Sequence, residues 1–330
     1  MMKTRKIGTN GPEVSAIGLG CMGMSDLYGN AERAESIATI HEALEKGVTL
    51  FDTGDFYGVG HNELLLREAL QGTKRENAFI AVKTGVLRSP DGGWIGMDNR
   101  PQAIKNALAY TLQRLGTDYI DLYQPARVDP NVLIEETIGA MSDLVKAGYV
   151  KHIGLSEANA ETVRKAHGVH PISWLQIEYS LFSRGIEAEI LPTLRELGIS
   201  LSAYGVLSRG LLSGKWTKER QGQIDFRSFA PRFMGENLDQ NLALVEALRE
   251  IAEEKQATVA EIAISWVLTQ GEDVIPLIGA RKRTHLADAF GALALELSSA
   301  DLEKIERAVP ADKVAGTRYA KEQMAMLGVE

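Results

Sequence analysis

Residues 51–58 of the chain read Phe51-Asp52-Thr53-Gly54-Asp55-Phe56-Tyr57-Gly58. The apolar run that ends at Asp52 predicts a strand over 48–52, and the run that ends at Lys83 predicts a second strand over 78–83. Between them, residues 62–71 have the periodicity of an amphipathic helix. This order is typical of a unit with two parallel strands, whose carboxyl ends lie at the same edge of the sheet. We therefore expect Asp52, Tyr57 and Lys83 to be neighbours.

The same alternation of strand and helix continues along the chain. Eight strands are predicted, near 17–21, 48–52, 78–83, 118–123, 151–155, 173–178, 199–204 and 273–278. Helices are predicted near 31–46, 62–71, 101–115, 134–147, 159–167, 186–197, 238–255 and 282–292. No linker or change of composition divides the chain. We therefore predict one α/β domain over residues 1–330, a (β/α)8 TIM barrel of parallel strands inside a ring of helices.

Three segments go beyond the eight strand–helix units. The turn residues Asn10 and Gly11 predict a small β-hairpin before the first barrel strand. Residues 205–237 form a long connection after the seventh strand, and such loops are usually functional or disordered. At the C-terminus, an extra helix over 299–309 is followed by a tail that either caps the barrel or helps to close a substrate pocket. The tail contains Tyr319, Met324 and Met326.

Composition excludes several classes of protein. The 330 residues carry a net charge of −8, which gives no support for binding to nucleic acid or to an anionic membrane surface. No run approaches the ~18 apolar residues of a transmembrane helix, and no apolar signal core follows the first residues, so we expect a cytoplasmic protein. The single cysteine, Cys21, excludes an intrachain disulfide framework and a multi-thiolate metal site. The oligomeric state is left open.

The glycines of the first strand offer a competing interpretation. Gly18-Leu19-Gly20-Cys21-Met22-Gly23 matches the dinucleotide-binding pattern GxGxxG, and Asp52 ends the second strand, where a ribose-binding acid would stand. In that motif the glycine turn leads directly into a helix, whereas residues 24–30 intervene here. We therefore interpret these glycines as sites of close packing at the end of a barrel strand.

The residues at 52–57 and 83 include side chains suited to acid catalysis. A free Tyr has a pKa of about 10 and is a poor general acid near pH 7. A nearby Lys ammonium stabilises the phenolate and lowers the pKa of the Tyr, and a carboxylate holds the Lys in place. Asp52, Tyr57 and Lys83 are therefore candidate catalytic residues, although Asp52 in a turn and Tyr57 in a pocket also have purely structural explanations.

Several later segments, together with this cluster, resemble the aldo-keto reductase superfamily in order and spacing. They are Gly154-Leu155-Ser156-Glu157, Gln176-Ile177-Glu178-Tyr179, Ala203-Tyr204-Gly205-Val206-Leu207-Ser208-Arg209-Gly210 and Ile278-Gly279-Ala280-Arg281-Lys282. The long connection, with Phe226-Arg227 and Pro231-Arg232-Phe233, is similar to that of the microbial and plant branch. The resemblance implies NADP(H)-dependent reduction of an aldehyde or ketone, in which Tyr57 protonates the carbonyl oxygen.

The resemblance also implies a set of cofactor contacts. Ser156 and Gln176 would bind the nicotinamide carboxamide, Tyr204 would stack on the ring, and the backbone of Gly205–Gly210, with Leu207 and Ser208, would bind the pyrophosphate. A 2′-phosphate would be bound at the start of the last barrel helix by Arg281, Lys282, Arg283 and His285. The remaining implied cofactor positions are Gly20, Met22, Gly279 and Asp288. No metal ligand is implied.

One position departs from the family pattern. Family members usually place a catalytic His at the end of the fourth strand, and here the stretch is Asp121-Leu122-Tyr123-Gln124-Pro125-Ala126-Arg127. The missing side chain removes a donor that orients and polarises the carbonyl. Three replacements stay open: a water molecule, Arg127, or a polar group of the substrate itself. The substrate pocket is expected to include aromatic side chains, namely Tyr28, Trp94, Phe229 and Phe233.

Two functions follow from this pattern. The first is an NADPH-dependent carbonyl reductase that acts on a small-molecule substrate. The second, suggested by Ala126, is an NADP(H)-binding sensor or regulatory module with weak or vestigial turnover. The presence of Tyr57 and Lys83 argues against a complete loss of chemistry.

Overall fold

Parallel strands form the inner ring of the structure. We describe the protein from a computed structural model, which covers residues 2–25, 28–29, 31–217, 226–324 and 327. The strands are β1 (Thr4–Lys6), β2 (Glu13–Ser15), β3 (Gly18–Gly20), β4 (Leu50–Gly54), β5 (Phe79–Thr84), β6 (Val86–Arg88), β7 (Trp94–Met97), β8 (Ile120–Pro125), β9 (Val150–Ser156), β10 (Ile172–Glu178), β11 (Ser200–Tyr204) and β12 (Val274–Gly279). Among the described residues, eight of them close into a barrel in the order β3-β4-β5-β8-β9-β10-β11-β12.

Helices surround this ring. They are α1 (Arg33–Glu45), α2 (His61–Ala69), α3 (Pro101–Leu115), α4 (Ile134–Lys146), α5 (Ala160–Val169), α6 (Ile190–Leu197), α7 (Gly235–Glu254), α8 (Val259–Leu268), α9 (Arg283–Ala294), α10 (Ser299–Ala308) and α11 (Lys321–Met324). Local signals explain their bounds: α3 begins at Pro101 and ends before Gly116, which has a φ of +65°. The fold is the predicted (β/α)8 barrel.

The interior of the barrel is apolar at one end and polar at the other. Trp174 fills the centre together with Leu50 and Leu122. The antiparallel hairpin β1–β2, predicted from its turn residues, adds Ile7 and Val14 to the same cluster and so closes the amino-terminal end. A second, larger apolar core lies between the strands and the helices. The opposite end, where the strands terminate, is left for polar side chains, as in other (β/α)8 barrels.

Some elements were not anticipated from the sequence. Helix α8 is buried and apolar around most of its circumference, so it lacks helical periodicity, although the capping box of Thr258 and Glu261 marks its start. The strands β6 and β7 form an antiparallel hairpin between β5 and α3, where no strands are predicted. In the long connection, 3₁₀ turns at Ser208–Ser213 and Pro231–Phe233 precede α7, which begins earlier than predicted. Met326 of the tail lies outside the described residues.

No helix in the described ranges is long and apolar enough to span a bilayer. In the same part of the chain, no group of three or more His, Cys, Asp or Glu side chains has the arrangement of a metal site.

The close packing expected at the first-strand glycines is present at Gly18. A Cβ atom there would lie 2.5 Å from Cδ2 of Leu277 and 2.7 Å from Cδ2 of Leu50. A Cβ atom at Gly20 or Gly23, in contrast, would have no non-adjacent neighbour closer than 3.7 Å among the described residues, so close packing does not explain those two glycines. We expect Gly18→Ala to reduce the free energy of unfolding by about 1–3 kcal/mol, because the added methyl group overpacks the barrel interior. Urea denaturation of the purified variant measures this change.

Gly139→Ala is the matched control. Gly139 lies inside α4, and a Cβ atom there would meet no atom within 4 Å, so the same substitution is expected to increase stability by about 0.5–1 kcal/mol. Equal changes in the two variants would show that close packing does not explain Gly18.

Candidate active site

Asp52, Lys83 and Tyr57 meet at the carboxyl ends of β4 and β5. The Nζ atom of Lys83 lies 2.5 Å from Oδ1 of Asp52 and 5.4 Å from the centroid of the Tyr57 ring. The three side chains are buried. Tyr57 belongs to the turn after β4, where its backbone N–H donates to the carbonyl oxygen of Gly54 at 3.1 Å. The neighbourhood expected from two adjacent parallel strands is therefore present.

The protonation of this cluster is governed by burial. Burial raises the pKa of Tyr57 well above its ordinary value, the charge of Asp52 acts in the same direction, and Arg127 opposes both. Burial also lowers the pKa of Lys83, and the contact with Asp52 offsets part of that decrease. The net pKa of Tyr57 in the free protein is therefore raised, opposite to the lowered pKa expected from the sequence, because loss of solvent outweighs the nearby positive charges. Tyr57 is a neutral phenol that retains its proton.

Asp52 also connects to the far side of the barrel. The Nε2 group of Gln176 on β10 donates to Oδ2 of Asp52 at 2.8 Å. Ser156 on β9 lies beside Gln176 in the strand register. Its Oγ atom is buried and has no hydrogen-bond partner among the described residues. An unsatisfied buried hydroxyl is costly, so Ser156 is a suitable partner for a polar ligand group such as a carboxamide.

The Tyr204 side chain is held by its hydroxyl group. This hydroxyl donates to Oε1 of Glu157 at 2.6 Å and lies 3.1 Å from the hydroxyl of Tyr319 in the C-terminal tail. Arg318 binds the same Glu157 carboxylate through both of its terminal nitrogens, at 2.7 and 2.6 Å. The tail therefore lies against the wall of the site, which supports the interpretation that it helps to close the pocket.

A second carboxylate at this end of the barrel binds another arginine. Nη1 of Arg232, in the long connection, lies 3.2 Å from Oε1 of Glu178 at the end of β10. Arg209 and Arg318 lie farther from Oε2 of the same carboxylate, each at 3.9 Å. The long connection and the tail are thus both attached to the strand ends by buried ionic contacts.

The loop after β11 contains several residues with left-handed backbone conformations. Gly205, Ser208, Arg209 and Gly210 all have positive φ values, of +66°, +44°, +56° and +107°. The N–H groups of Ser208 and Gly210 are used inside the loop, where they donate to carbonyl groups at 2.7 and 2.8 Å. These two internal hydrogen bonds restrain the loop, and the positive φ values of Ser208 and Arg209 are strained for residues with a side chain.

The basic residues at the start of α9 are not equivalent. Arg283 pairs with Glu35 of α1 at 2.9 Å. Nη1 of Arg281 donates to the carbonyl oxygens of Tyr28 and Gly29, at 2.6 and 3.0 Å, and so holds that loop beside β12. Asp288 accepts a contact from Lys215 at 3.1 Å, which joins the long connection to α9. Burial, followed by the charge of Arg281, lowers the pKa of His285.

Ala126 lies against the proposed acid. It forms a small apolar cluster with Phe56 and Tyr57, and Met22 packs on the same cluster. Ala126 is buried, so the position usually held by His is occupied by a methyl group in direct contact with the Tyr57 region. Arg127, the next residue, directs its side chain toward the tail, where Nη2 lies 3.4 Å from the Tyr319 hydroxyl.

Three of the aromatic residues expected in the substrate pocket, Trp94, Phe229 and Phe233, lie in different surroundings. The Trp94 ring lies 5.5 Å from the ring of Phe56, which in turn lies 4.8 Å from Tyr57, so the β6–β7 hairpin borders the site. Trp94 remains 58% exposed. Phe233 is buried against Trp216 at 4.9 Å, in the packing of the long connection. Phe229 is 70% exposed.

Other predicted positions take their places along the strand ends. Gly20 lies opposite Asp52 on one side and opposite Gly279 on the other.

Sequence reasoning overlooked the structural roles of Glu157, Glu178 and Arg318. The left-handed φ of +53° at Glu157 was not visible in the sequence, but its place directly after Ser156 at a strand end was a usable signal.

The fold and this site define a (β/α)8 barrel protein with a buried Tyr, Lys and Asp cluster at the carboxyl ends of its strands. The model of the Aldo/keto reductase family matches residues 16–310. Probable aldo-keto reductase 1 from Glycine max is 45% identical over 317 residues, which cover 95% of this chain and 91% of that protein.

Solved structures agree with this match. The glycerol dehydrogenase AKR11B4 from Gluconobacter oxydans has a TM-score of 0.84 at 29% identity, over 92% of this chain and 94% of that one. The aldo-keto reductase AKR11C1 from Bacillus halodurans, in its holo form, has a TM-score of 0.79 at 29% identity, over 94% and 97%. The chain belongs to the aldo/keto reductase family of oxidoreductases, which implies nicotinamide-dependent reduction of small carbonyl compounds.

Asp55, next to the site, generates a pH-dependent prediction. Its Oδ2 atom accepts a hydrogen bond from Thr84 at 2.6 Å, and burial raises the pKa of Asp55 to about 7 from an ordinary value of 3.8. Because the folded form binds the proton more tightly, the free energy of unfolding falls as the pH rises from about 4 to about 7. This pH-dependent loss is absent in Asp55→Asn. The free energy of unfolding of the variant, minus that of the natural protein, should therefore increase by about 2–4 kcal/mol between pH 4 and pH 7.

Urea denaturation of both proteins at several pH values measures the difference. All other titrating groups are shared, so the difference between the two profiles isolates Asp55. Parallel profiles between pH 4 and 7 would contradict a raised pKa for this carboxyl group.

Proposed function

We propose that this protein is an NADPH-dependent reductase of aldehydes and ketones in which Tyr57 donates the proton to the carbonyl oxygen. The observation that carries the proposal is the buried cluster of Tyr57, Lys83 and Asp52 at the strand ends. Because burial raises the pKa of Tyr57, the phenol carries its proton at neutral pH, and release of that proton depends on the Lys83 ammonium, 5.4 Å from the ring centroid, to stabilise the phenolate.

Each member of the cluster has a distinct part in the proton transfer. The Tyr57 hydroxyl gives its proton to the carbonyl oxygen as that oxygen becomes negatively charged. The phenolate that remains lies near the Lys83 ammonium, which stabilises it by charge. Asp52 holds Lys83 by the contact at 2.5 Å, and Gln176 holds Asp52. When bound, the reduced nicotinamide would supply the hydride that adds to the carbonyl carbon, so that the product is an alcohol.

Several features of the chain fit a nicotinamide dinucleotide. The unsatisfied Ser156 hydroxyl suits a carboxamide, and the ring of Tyr204, fixed by Glu157, offers a flat face for stacking. The N–H groups of Val206 and Leu207 donate to no acceptor in the described part of the chain, and they lie in the loop with positive φ angles. Free backbone donors in such a turn suit a pyrophosphate. The contributions of Gly20, Met22, Ser208, Gly210, Gly279 and Asp288 remain predictions.

The preference for NADPH over NADH depends on Arg281. Its guanidinium lies at the start of α9, beside the loop of Tyr28 and Gly29. A helix start with an arginine next to it favours a phosphate group.

We propose that the reaction takes place in the cytoplasm, since the single cysteine is buried and no disulfide demands an oxidising compartment.

The alternative function is an NADP(H)-binding sensor with weak turnover. It is favoured by one observation, the buried methyl group of Ala126 beside Tyr57. The reductase is the better proposal because the proton donor and its two supporting side chains are in contact. An assay of NADPH absorbance with aldehydes and diketones separates the two functions. Tight NADPH binding without oxidation above background would favour the sensor.

The first functional prediction concerns the proton donor. Tyr57→Phe should reduce kcat by about 10²–10⁴-fold, because the transfer of a proton in the transition state contributes this much. The dissociation constant of NADPH, measured by fluorescence titration, should change by less than about threefold.

Tyr123→Phe is the control for the loss of a buried hydroxyl. The Tyr123 hydroxyl donates to the carbonyl oxygen of Ile104 in α3 at 3.2 Å, so it faces the helices and not the site. Its kcat should stay close to that of the natural protein. Substantial activity in Tyr57→Phe would mean that another group supplies the proton.

The second functional prediction concerns the cofactor. Arg281→Met should raise the dissociation constant of NADPH by about 10- to 100-fold, because hydrogen bonds to charged groups contribute about 1.5–3 kcal/mol. The dissociation constant of NADH should change little, since NADH lacks the 2′-phosphate. Isothermal titration calorimetry measures both values.

Arg283→Met removes the same charge from the same helix end and serves as the control. Because Arg283 already pairs with Glu35, its loss should affect both cofactors weakly. An equal loss of NADPH and NADH affinity in Arg281→Met would assign Arg281 to the support of the Tyr28 loop, not to phosphate recognition.

A further inference from the structure

The backbone of Arg127 lies beside the proposed active site. Its neighbour Ala126 contacts Tyr57, and the N–H of Ala126 donates to the carbonyl oxygen of Thr84 at 2.8 Å. The Nδ2 group of Asn99 donates to the carbonyl oxygen of Arg127, also at 2.8 Å. The backbone is thus held on both sides, and the side chain starts from a fixed point beside the proton donor.

A chain of hydrogen bonds fixes the guanidinium of Arg127. Nη2 lies 3.4 Å from the Tyr319 hydroxyl, which lies 3.1 Å from the Tyr204 hydroxyl, which donates to Glu157 at 2.6 Å. A guanidinium only donates and a carboxylate only accepts. Every proton in the chain therefore points from Arg127 toward Glu157, and the Tyr319 O–H is used as the donor to the Tyr204 hydroxyl.

Arg127 retains hydrogen-bonding capacity after these contacts. Its Nη1 donates to the carbonyl oxygen of Ala126 at 2.6 Å. Since a guanidinium has five N–H donors, the two recorded bonds leave three without a partner among the described residues. The side chain is mostly enclosed, and no carboxylate in the described part of the chain forms an ion pair with it.

The carboxylates near Arg127 are paired with other cations. Glu157 is bound by both terminal nitrogens of Arg318, and Glu178 by Arg232. Lys83 is balanced by Asp52. These pairs leave the Arg127 charge without a carboxylate of its own. A buried charge is expensive unless an opposite charge meets it, so this position suits an anionic ligand.

We propose that the natural substrate is a carbonyl compound with a carboxylate group, an oxo acid, and that Arg127 binds this carboxylate. The proposal rests on the reductase function. The carbonyl group faces Tyr57, gains a hydride at carbon and the Tyr57 proton at oxygen, and becomes a hydroxy acid, while the carboxylate is unchanged. Arg127 thereby orients the substrate, a role that the methyl group of Ala126 does not fill.

Two probes of nearly equal shape test the charge. They are 4-carboxybenzaldehyde, which carries a carboxylate, and 4-methylbenzaldehyde, which is neutral. The natural protein should have the higher kcat/KM for the acid probe. In Arg127→Met, kcat/KM for the acid probe should fall by about 30-fold or more, and for the neutral probe by less than about threefold. Arg127→Lys should retain part of the preference, because it keeps the charge but loses the planar fork.

Arg164→Met is the matched control. Arg164 lies in α5 and pairs with the exposed Glu196 at 2.5 Å, so its loss should leave the ratio between the probes unchanged. Thermal unfolding and the dissociation constant of NADPH are measured for each variant. A loss of NADPH affinity in Arg127→Met, or an equal loss of kcat/KM for both probes, would overturn the assignment of Arg127 to the substrate carboxylate.

A binding measurement separates this proposal from the reductase function. Calorimetric titration of the protein with NADP⁺ and either 4-carboxybenzyl alcohol or 4-methylbenzyl alcohol needs no turnover. Selective binding of the acid, lost in Arg127→Met and partly kept in Arg127→Lys, supports the carboxylate site even if neither aldehyde is reduced, in which case only the reductase function fails. Equal binding of the two alcohols would overturn the carboxylate site even in an active reductase.

Discussion

The carboxylate of Asp52 is the point on which the polar end of the barrel depends. It accepts hydrogen bonds from Lys83 at 2.5 Å and from Gln176 at 2.8 Å, and so connects β4, β5 and β10 across the interior. A buried carboxylate is tolerated only when such donors satisfy it. The same contacts place the Lys83 ammonium beside the Tyr57 ring. One stabilising requirement, the neutralisation of Asp52, therefore also arranges the proton donor.

A second buried carboxylate, Glu157, connects the C-terminal tail to the strand ends of the site. It receives Arg318 from the tail and the hydroxyl of Tyr204 from β11, and Tyr319 joins the same chain of hydrogen bonds. Because these partners come from distant parts of the sequence, they order the tail against the barrel. The surface proposed for the nicotinamide and the surface proposed for the substrate consequently share one network.

Much of the fold was predictable because its signals are local. Each barrel strand was found from a short apolar run, and α3 from Pro101 and Gly116, since period and turn chemistry are properties of neighbouring residues. Helix α8 was missed because burial on most sides erases the periodicity on which prediction relies. In the site, the meeting of Asp52 and Lys83 was predictable from adjacent parallel strands. The direction of the Tyr57 pKa was not, because it depends on how completely solvent is excluded.

The sequence by itself determined the alternation of strand and helix, the single barrel, the family, and the placement of polar residues at one edge of the sheet. Only the tertiary structure decided the contacts that cross the barrel or return from the tail. Gln176 reaches Asp52 over 124 positions, and Arg318 reaches Glu157 over 161. No local pattern specifies such pairs, because closure of the ring and the return of the tail bring them together. The same long-range packing sets the burial, and hence the charge balance, around Tyr57 and Arg127.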